Sequence, residues 1–196
     1  MAVMLAHGML ALTLVVRIYD GYGVPGDHLT RAQATAEGIM KAAGVVVTWP
    51  RCPCLSPVRS DELVVRITRA SPASMPGSLG FSFVDIGLKA GTLATVFADR
   101  VQTLAAIAEV DDGEVLGRVI AHEIAHLLLG TRDHGPRGLM RGQWRASDLA
   151  RQRLSDWRLS GAEGLKIRQA IRRRASESPP AMMIADTDLA PDVSAQ

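Results

Sequence analysis

From Asp112 to Gly130 the chain carries apolar residues, Val115, Leu116, Val119, Ile120, Ile124 and Leu127, in a pattern that leaves no broad polar face. A helix of that kind must be covered on most sides, so the rest of the chain has to supply layers around it. Its start is marked by Asp111 or Asp112. Asp111 followed three residues later by Glu114 resembles a capping box, with both carboxylates at the positive end of the helix. Gly130 marks the end. In the second half, His122, Glu123 and His126 interrupt the apolar pattern. Such groups are rare inside a core, so their presence asks for a chemical reason.

The chain has 196 residues, enough for one domain with a substantial core. Its formal net charge of +2 is too small to point to a nucleic-acid partner. Basic residues gather in Lys166-Ile167-Arg168 and Arg172-Arg173-Arg174, read as a solvated helix end. The two cysteines, Cys52 and Cys54, lie too close in sequence for an unstrained disulfide. Residues 1 to 16 carry no acidic or basic side chain but are short for a membrane span. They read as the approach to a buried first strand, Leu10 to Tyr19, with a signal remnant as the alternative.

That strand is followed by a turn at Asp20-Gly21 and a helix to about Ala43, capped by Asp27 or Thr30 and stopped by Gly44. Val45 to Trp49 and Leu63 to Ile67 read as strands, giving a mixed α/β layer. Residues 71 to 91 are rich in Ser, Pro and Gly and read as a long loop. Thr92 to Leu104 reads as a further strand, at the sheet edge with a bulge near Asp99. Helix is the alternative there, because alanine is frequent. A last helix is expected from Ala146 to Ala175, broken near Gly161, with Leu149, Leu154, Trp157, Leu165 and Ile171 as its apolar positions. From Ser176 to Gln196 the composition turns to Ser, Pro, Asp and Ala, as in a disordered tail.

The interrupting residues form His122-Glu123-Ile124-Ala125-His126. Histidines four apart share one helix face and can point at one ion, and the glutamate beside the first can reach water activated by that ion. A catalytic zinc site needs a third protein ligand and an open position. His134 follows the glycine turn, so three of the five histidines fall between positions 122 and 134. The competing reading of each, a satisfied core histidine, does not account for the three together beside Glu123.

His122-Glu123-x-x-His126, then Gly130, His134 and Met140, resembles the metzincin zinc peptidases, the matrixin branch in particular. The resemblance implies a zincin-like α/β (α+β) fold. Its twisted mixed sheet, with one antiparallel edge strand, lies over an active-site helix and is joined by a C-terminal helix. It implies zinc held by His122, His126 and His134, Glu123 as general base, and Met140 in a tight turn beneath the metal. The family pattern has two residues on each side of the glycine, whereas this chain has three on each side. Asp133 is therefore the alternative third ligand, and a carboxylate on the last helix a remoter one. Residues 1–175 would be the catalytic domain and residues 176–196 a tail. Thr92 to Leu104 would be the edge strand that pairs with an extended peptide substrate, and Arg141 and Trp144 are candidates to wall a specificity pocket, with plain packing as the equal reading of Trp144.

The expected activity is a zinc metalloendopeptidase, with a closed, structural zinc site as the alternative. The expected partner is an extended protein or peptide, with the protein acting as a monomer and with no nucleic acid or membrane span. Pro50-Arg51-Cys52 is similar to the segment by which latent matrixins block their zinc, with an inert loop cysteine as the plainer reading. Localisation stays open, although the resemblance favours an extracytoplasmic setting.

Overall fold

A computed structural model describes residues 12–50, 56–71, 76–151 and 154–177. Cys52, Cys54 and the tail beyond Glu177 lie outside the described residues, as do Leu10 and the side chain of Leu154. Five strands form one sheet: β1 (Leu12–Asp20), β2 (Val45–Thr48), β3 (Leu63–Thr68), β4 (Gly80–Asp85) and β5 (Ala90–Phe97). Their spatial order is β2-β1-β3-β5-β4; the first four run parallel, and β4 pairs antiparallel with β5 at the edge. Among the described residues five α-helices accompany them: α1 (Gly26–Ala42), α2 (Ala98–Ala108), α3 (Asp112–Leu129), α4 (Ala146–Ala150) and α5 (Gly161–Glu177). The expected fold class is the one observed, a mixed α/β layer with an antiparallel edge strand and a C-terminal helix.

Period-two alternation turns Leu14, Val16, Val45, Val47, Leu63, Val65 and Ile67 to one buried face. Helix α3 packs there against β3, β4 and β5, while α1 packs beside it and α5 reaches β1. The other face is mixed and more open, with Thr13, Val46, Thr48 and Arg66 exposed, an uncommon outcome for parallel strands. Arg17 on that face is 4% exposed and meets Glu62 at 2.6 Å. Its guanidinium also donates to the Ser56 and Pro57 carbonyls, so an irregular segment takes the place of a second helical layer. Among the described residues, no helix is long and apolar enough to cross a membrane.

The segment 71 to 91 is not all loop, because Gly80–Asp85 forms the antiparallel edge strand. Thr92 to Leu104 is not that strand. Ala90–Phe97 is an interior strand, and the chain becomes helical at Ala98. Buried positions change spacing there, from a continuous run over Ala94, Thr95, Val96 and Phe97 to Ala98, Val101, Ala105 and Ala108. Helix therefore wins where alanine was ambivalent. The expected bulge near Asp99 lies elsewhere, as a register shift between Phe83 and Val84.

Helix α1 is entered through Pro25 with no side-chain cap, so neither Asp27 nor Thr30 caps it. Thr30 instead donates to the Gly26 carbonyl at 2.8 Å. The last helix is divided more than expected: α4 is followed by a 3-10 turn, Leu154–Trp157, and α5 begins at Gly161 itself. Leu165 is 49% exposed and does not join the core. The basic stretch of α5 is not wholly solvated either. Arg168 donates to the Ala43 carbonyl at 2.6 Å, and Arg174 donates to the Ser60 carbonyl at 3.2 Å and to that of Gly91. Two guanidinium groups thus pin α5 to the sheet side, and burial lowers the pKa of Arg174.

Candidate metal centre

Helix α3 starts as expected, with the Asp111 carboxylate accepting the Glu114 N–H at 2.8 Å. It ends at Gly130, whose φ of 64° lies in the left-handed region. The glycine is required sterically as well, since a Cβ would collide with the Lys89 carbonyl in the β4–β5 turn. The chain then doubles back past α3 and brings His134 over the helix face that carries His122 and His126.

The three imidazoles come together. His126 Nε2 is 3.0 Å from His122 Nε2 and 3.2 Å from His134 Nε2. One nitrogen from each ring lies within 4.8 Å of the others, a group that could hold a metal ion. Zinc–imidazole bonds of about 2.0–2.1 Å in a tetrahedron separate ligand nitrogens by roughly 3.3 Å, close to the 3.0 and 3.2 Å from His126 to its two neighbours. The other ring nitrogens explain the orientation. His122 Nδ1 is 2.9 Å from the Leu139 carbonyl, and His126 Nδ1 is 2.9 Å from the Thr131 carbonyl. A carbonyl can only accept, so Nδ1 carries the proton and the Nε2 lone pair of each ring faces inward. Converging lone pairs repel, and a cation among them removes that repulsion.

Burial, and then the neighbouring His126, push the His122 pKa down to about 3. Burial also lowers that of His126, partly opposed by its bond to the Thr131 carbonyl. Both rings are therefore neutral at pH 7, the form that ligates metals. His134 is the exposed member of the group. Asp133, the alternative third ligand, stands outside it, with its carboxylate accepting from the Thr131 hydroxyl at 2.8 Å.

Glu123 is 5% exposed, and burial raises its pKa to about 7, partly opposed by a hydrogen bond from Ser82. The Ser82 hydroxyl lies 2.7 Å from Glu123 Oε2 and 2.8 Å from the Glu123 carbonyl, so β4 is tied to α3 at this carboxylate. Met140 is buried, and its carbonyl accepts the Gly135 N–H at 2.7 Å. Leu139, whose carbonyl orients His122, is held by its own N–H on the Arg158 carbonyl at 3.1 Å. Trp144 stands edge-on to His122 with ring centroids 5.6 Å apart, and its indole N–H donates to the Arg141 carbonyl at 3.2 Å.

His122, Glu123, His126, His134, Ser82 and Trp144 border a cleft of about 1090 Å³ between β4 and the loop 141–145. Sequence reasoning missed Ser82 and the whole of β4. The run Phe81-Ser82-Phe83-Val84 between Gly80 and Asp85 was the available signal, being aromatic and β-branched.

No known protein-family profile matches the chain, and no curated protein matches it. Among solved structures 46 chains match. One, titled "Structure of myroilysin", is 11% identical, with a TM-score of 0.34 over 77% of this chain and 70% of that one. At that distance the likeness carries no argument about chemistry.

Proposed function

We propose that the protein is a zinc-dependent metalloendopeptidase, with His122, His126 and His134 as metal ligands and Glu123 as general base. The observation that carries this reading is the meeting of three imidazole nitrogens beside a buried carboxylate, at the floor of an open cleft. The resemblance of His122-Glu123-x-x-His126 and Met140 to the metzincin pattern points the same way.

When bound, zinc supplies Lewis-acid polarisation of a carbonyl and lowers the pKa of water toward neutrality. Glu123 takes up a proton and passes it to the leaving amine. Burial raises the Glu123 pKa to about 7 in the metal-free protein, and a bound cation would draw it down from there, leaving the ionised carboxylate that a base requires. Ser82 fixes the orientation of Oε2 through its hydroxyl. The Leu79 carbonyl accepts from Phe97 N–H at 2.8 Å and so faces β5. By alternation along the strand, Gly80 and Ser82 turn their main-chain groups to the free edge; the Gly80 carbonyl there accepts from the Ser78 hydroxyl, and Ser82 offers its groups to an extended peptide. The protein acts on this reading as a monomer, without nucleic acid.

A closed structural zinc site would need a fourth protein ligand. Among the described residues the cluster has three members and opens on the cleft, which favours catalysis. The deciding experiment is elemental analysis of the purified protein beside its His134→Ala and Glu123→Gln variants. One zinc per chain, loosened in the first variant and retained in the second with hydrolysis abolished, is the expected result. A protein that takes up no zinc when zinc is supplied refutes the proposal.

A further inference from the structure

The charges around the cleft are one-sided. Arg100, Arg132, Arg141 and Arg145 line it, and among its described lining residues Glu123 is the one carboxylate, sunk at the floor against Ser82. Arg141 is answered by Asp148 at 3.5 Å. Arg132 and Arg145 are exposed, and among the described residues neither guanidinium has a carboxylate within ion-pair distance.

Their placement follows the edge strand. Arg100 donates to the Ser78 carbonyl at 2.7 Å, just before β4, and Arg132 donates to the Val84 carbonyl at 3.1 Å, near its far end. The Arg132 guanidinium, bonded to a neutral carbonyl, keeps its full charge. Six residue steps of extended chain cover about 20 Å, so a peptide lying along β4 passes one guanidinium at each end. Arg145 faces it from the loop that forms the other rim. A low-dielectric cleft walled by one sign of charge focuses its field on whatever enters.

We propose that this cleft selects extended segments carrying Asp or Glu on both sides of the bond to be cleaved. The proposal rests on the peptidase reading for the word cleaved, but the charge preference stands on the arginines alone.

The test is fluorescence anisotropy of eight-residue peptides that share one neutral centre and carry Glu, Gln or Lys flanks. They are titrated against the Glu123→Gln variant, once zinc-loaded and once stripped with chelator. The expected result is on the order of tenfold tighter binding of the Glu-flanked than of the Lys-flanked peptide at low ionic strength. That gap should close toward 1 M salt, where the screening length falls to about 3 Å. Arg145→Glu, on an exposed side chain, should narrow the gap several-fold, and Arg132→Glu should narrow it from the other rim, while also weakening the Gln-flanked peptide because the bond to the Val84 carbonyl is lost. Equal affinities, or a gap indifferent to both variants, overturn the proposal. So does a single-stranded oligonucleotide that competes as well as the Glu-flanked peptide, because the cleft would then attract any polyanion. Wild-type enzyme that cleaves all three peptides equally well refutes the preference and leaves the peptidase reading intact. Preferential binding with no cleavage of any peptide does the reverse.

Discussion

Glu123→Gln should make the metal-free protein more stable, and increasingly so as pH rises. The Glu123 carboxyl is 5% exposed and has its pKa raised to about 7 from an ordinary 4.5, chiefly by burial. Between those two values the unfolded chain has released a proton that the folded chain still holds. Folding therefore binds protons in this window, and stability falls as pH rises through it. Above about 7 both states are ionised and the loss is complete. A displacement of about 2.5 units at about 1.36 kcal/mol each amounts to roughly 3 kcal/mol.

A glutamine in that place would never ionise, and it would still offer Ser82 an acceptor oxygen, so the variant escapes this loss. The assay is thermal unfolding of both proteins in chelator from pH 4.5 to pH 8. For a chain of this size, roughly 3 kcal/mol corresponds to a gain of about 6–12 °C in Tm at pH 8, shrinking toward zero near pH 4.5. Contributions from His122 and His126 are common to both proteins and largely cancel in the difference. A difference that does not change with pH would refute the reasoning, since Glu123 would then ionise at its ordinary value in the folded state.

Other perturbations probe the frame around the site. Ile124 is fully buried on α3, and Ile124→Ala should cost about 2–5 kcal/mol in denaturant unfolding; a loss under about 1 kcal/mol would mean the helix is not packed as described. Gly130→Ala meets both the left-handed φ of 64° and the Lys89 carbonyl, so it should destabilise by more than the roughly 1 kcal/mol of the backbone strain alone. Glu62→Ala leaves the Arg17 guanidinium buried without its carboxylate and should cost about 3–5 kcal/mol. The double change to Arg17→Met and Glu62→Leu should recover much of that, as read by chemical denaturation. Zinc should raise the Tm of the wild type and have a much smaller effect on His134→Ala at the same concentration.

What could be read beforehand was whatever is local in sequence. Helix α3 was legible because its apolar pattern, its Asp111 cap and its terminal Gly130 agree within one short stretch. The histidine group was legible because two members lie one turn apart and the third lies just past the glycine. Strand β4 was hidden by its length, six residues among Ser, Pro and Gly. The boundary at Phe97 was hidden because alanine serves strand and helix interiors alike, and only the packing of Val101 and Ala105 decides it. The run around Ser82 marks a strand, but the partners of Ser82 and Arg132 could not be found by pattern. Those partners, Glu123 and Val84, are 41 and 48 residues away, and only the assembled sheet edge joins them.

The crowding of α3 has a consequence for how such a chain can diverge. Fifteen of its eighteen residues are buried, and the groups that meet at the centre are interleaved with those that hold the core. Almost any replacement along this helix therefore disturbs the frame and the chemistry at once, leaving little freedom for gradual drift. Arg132 and Arg145 stand on exposed loops, and Phe81 faces the cleft from a strand edge, so these can be exchanged with small effects inside. Descendants of such a protein would be expected to change what they recognise long before they change what they do to it.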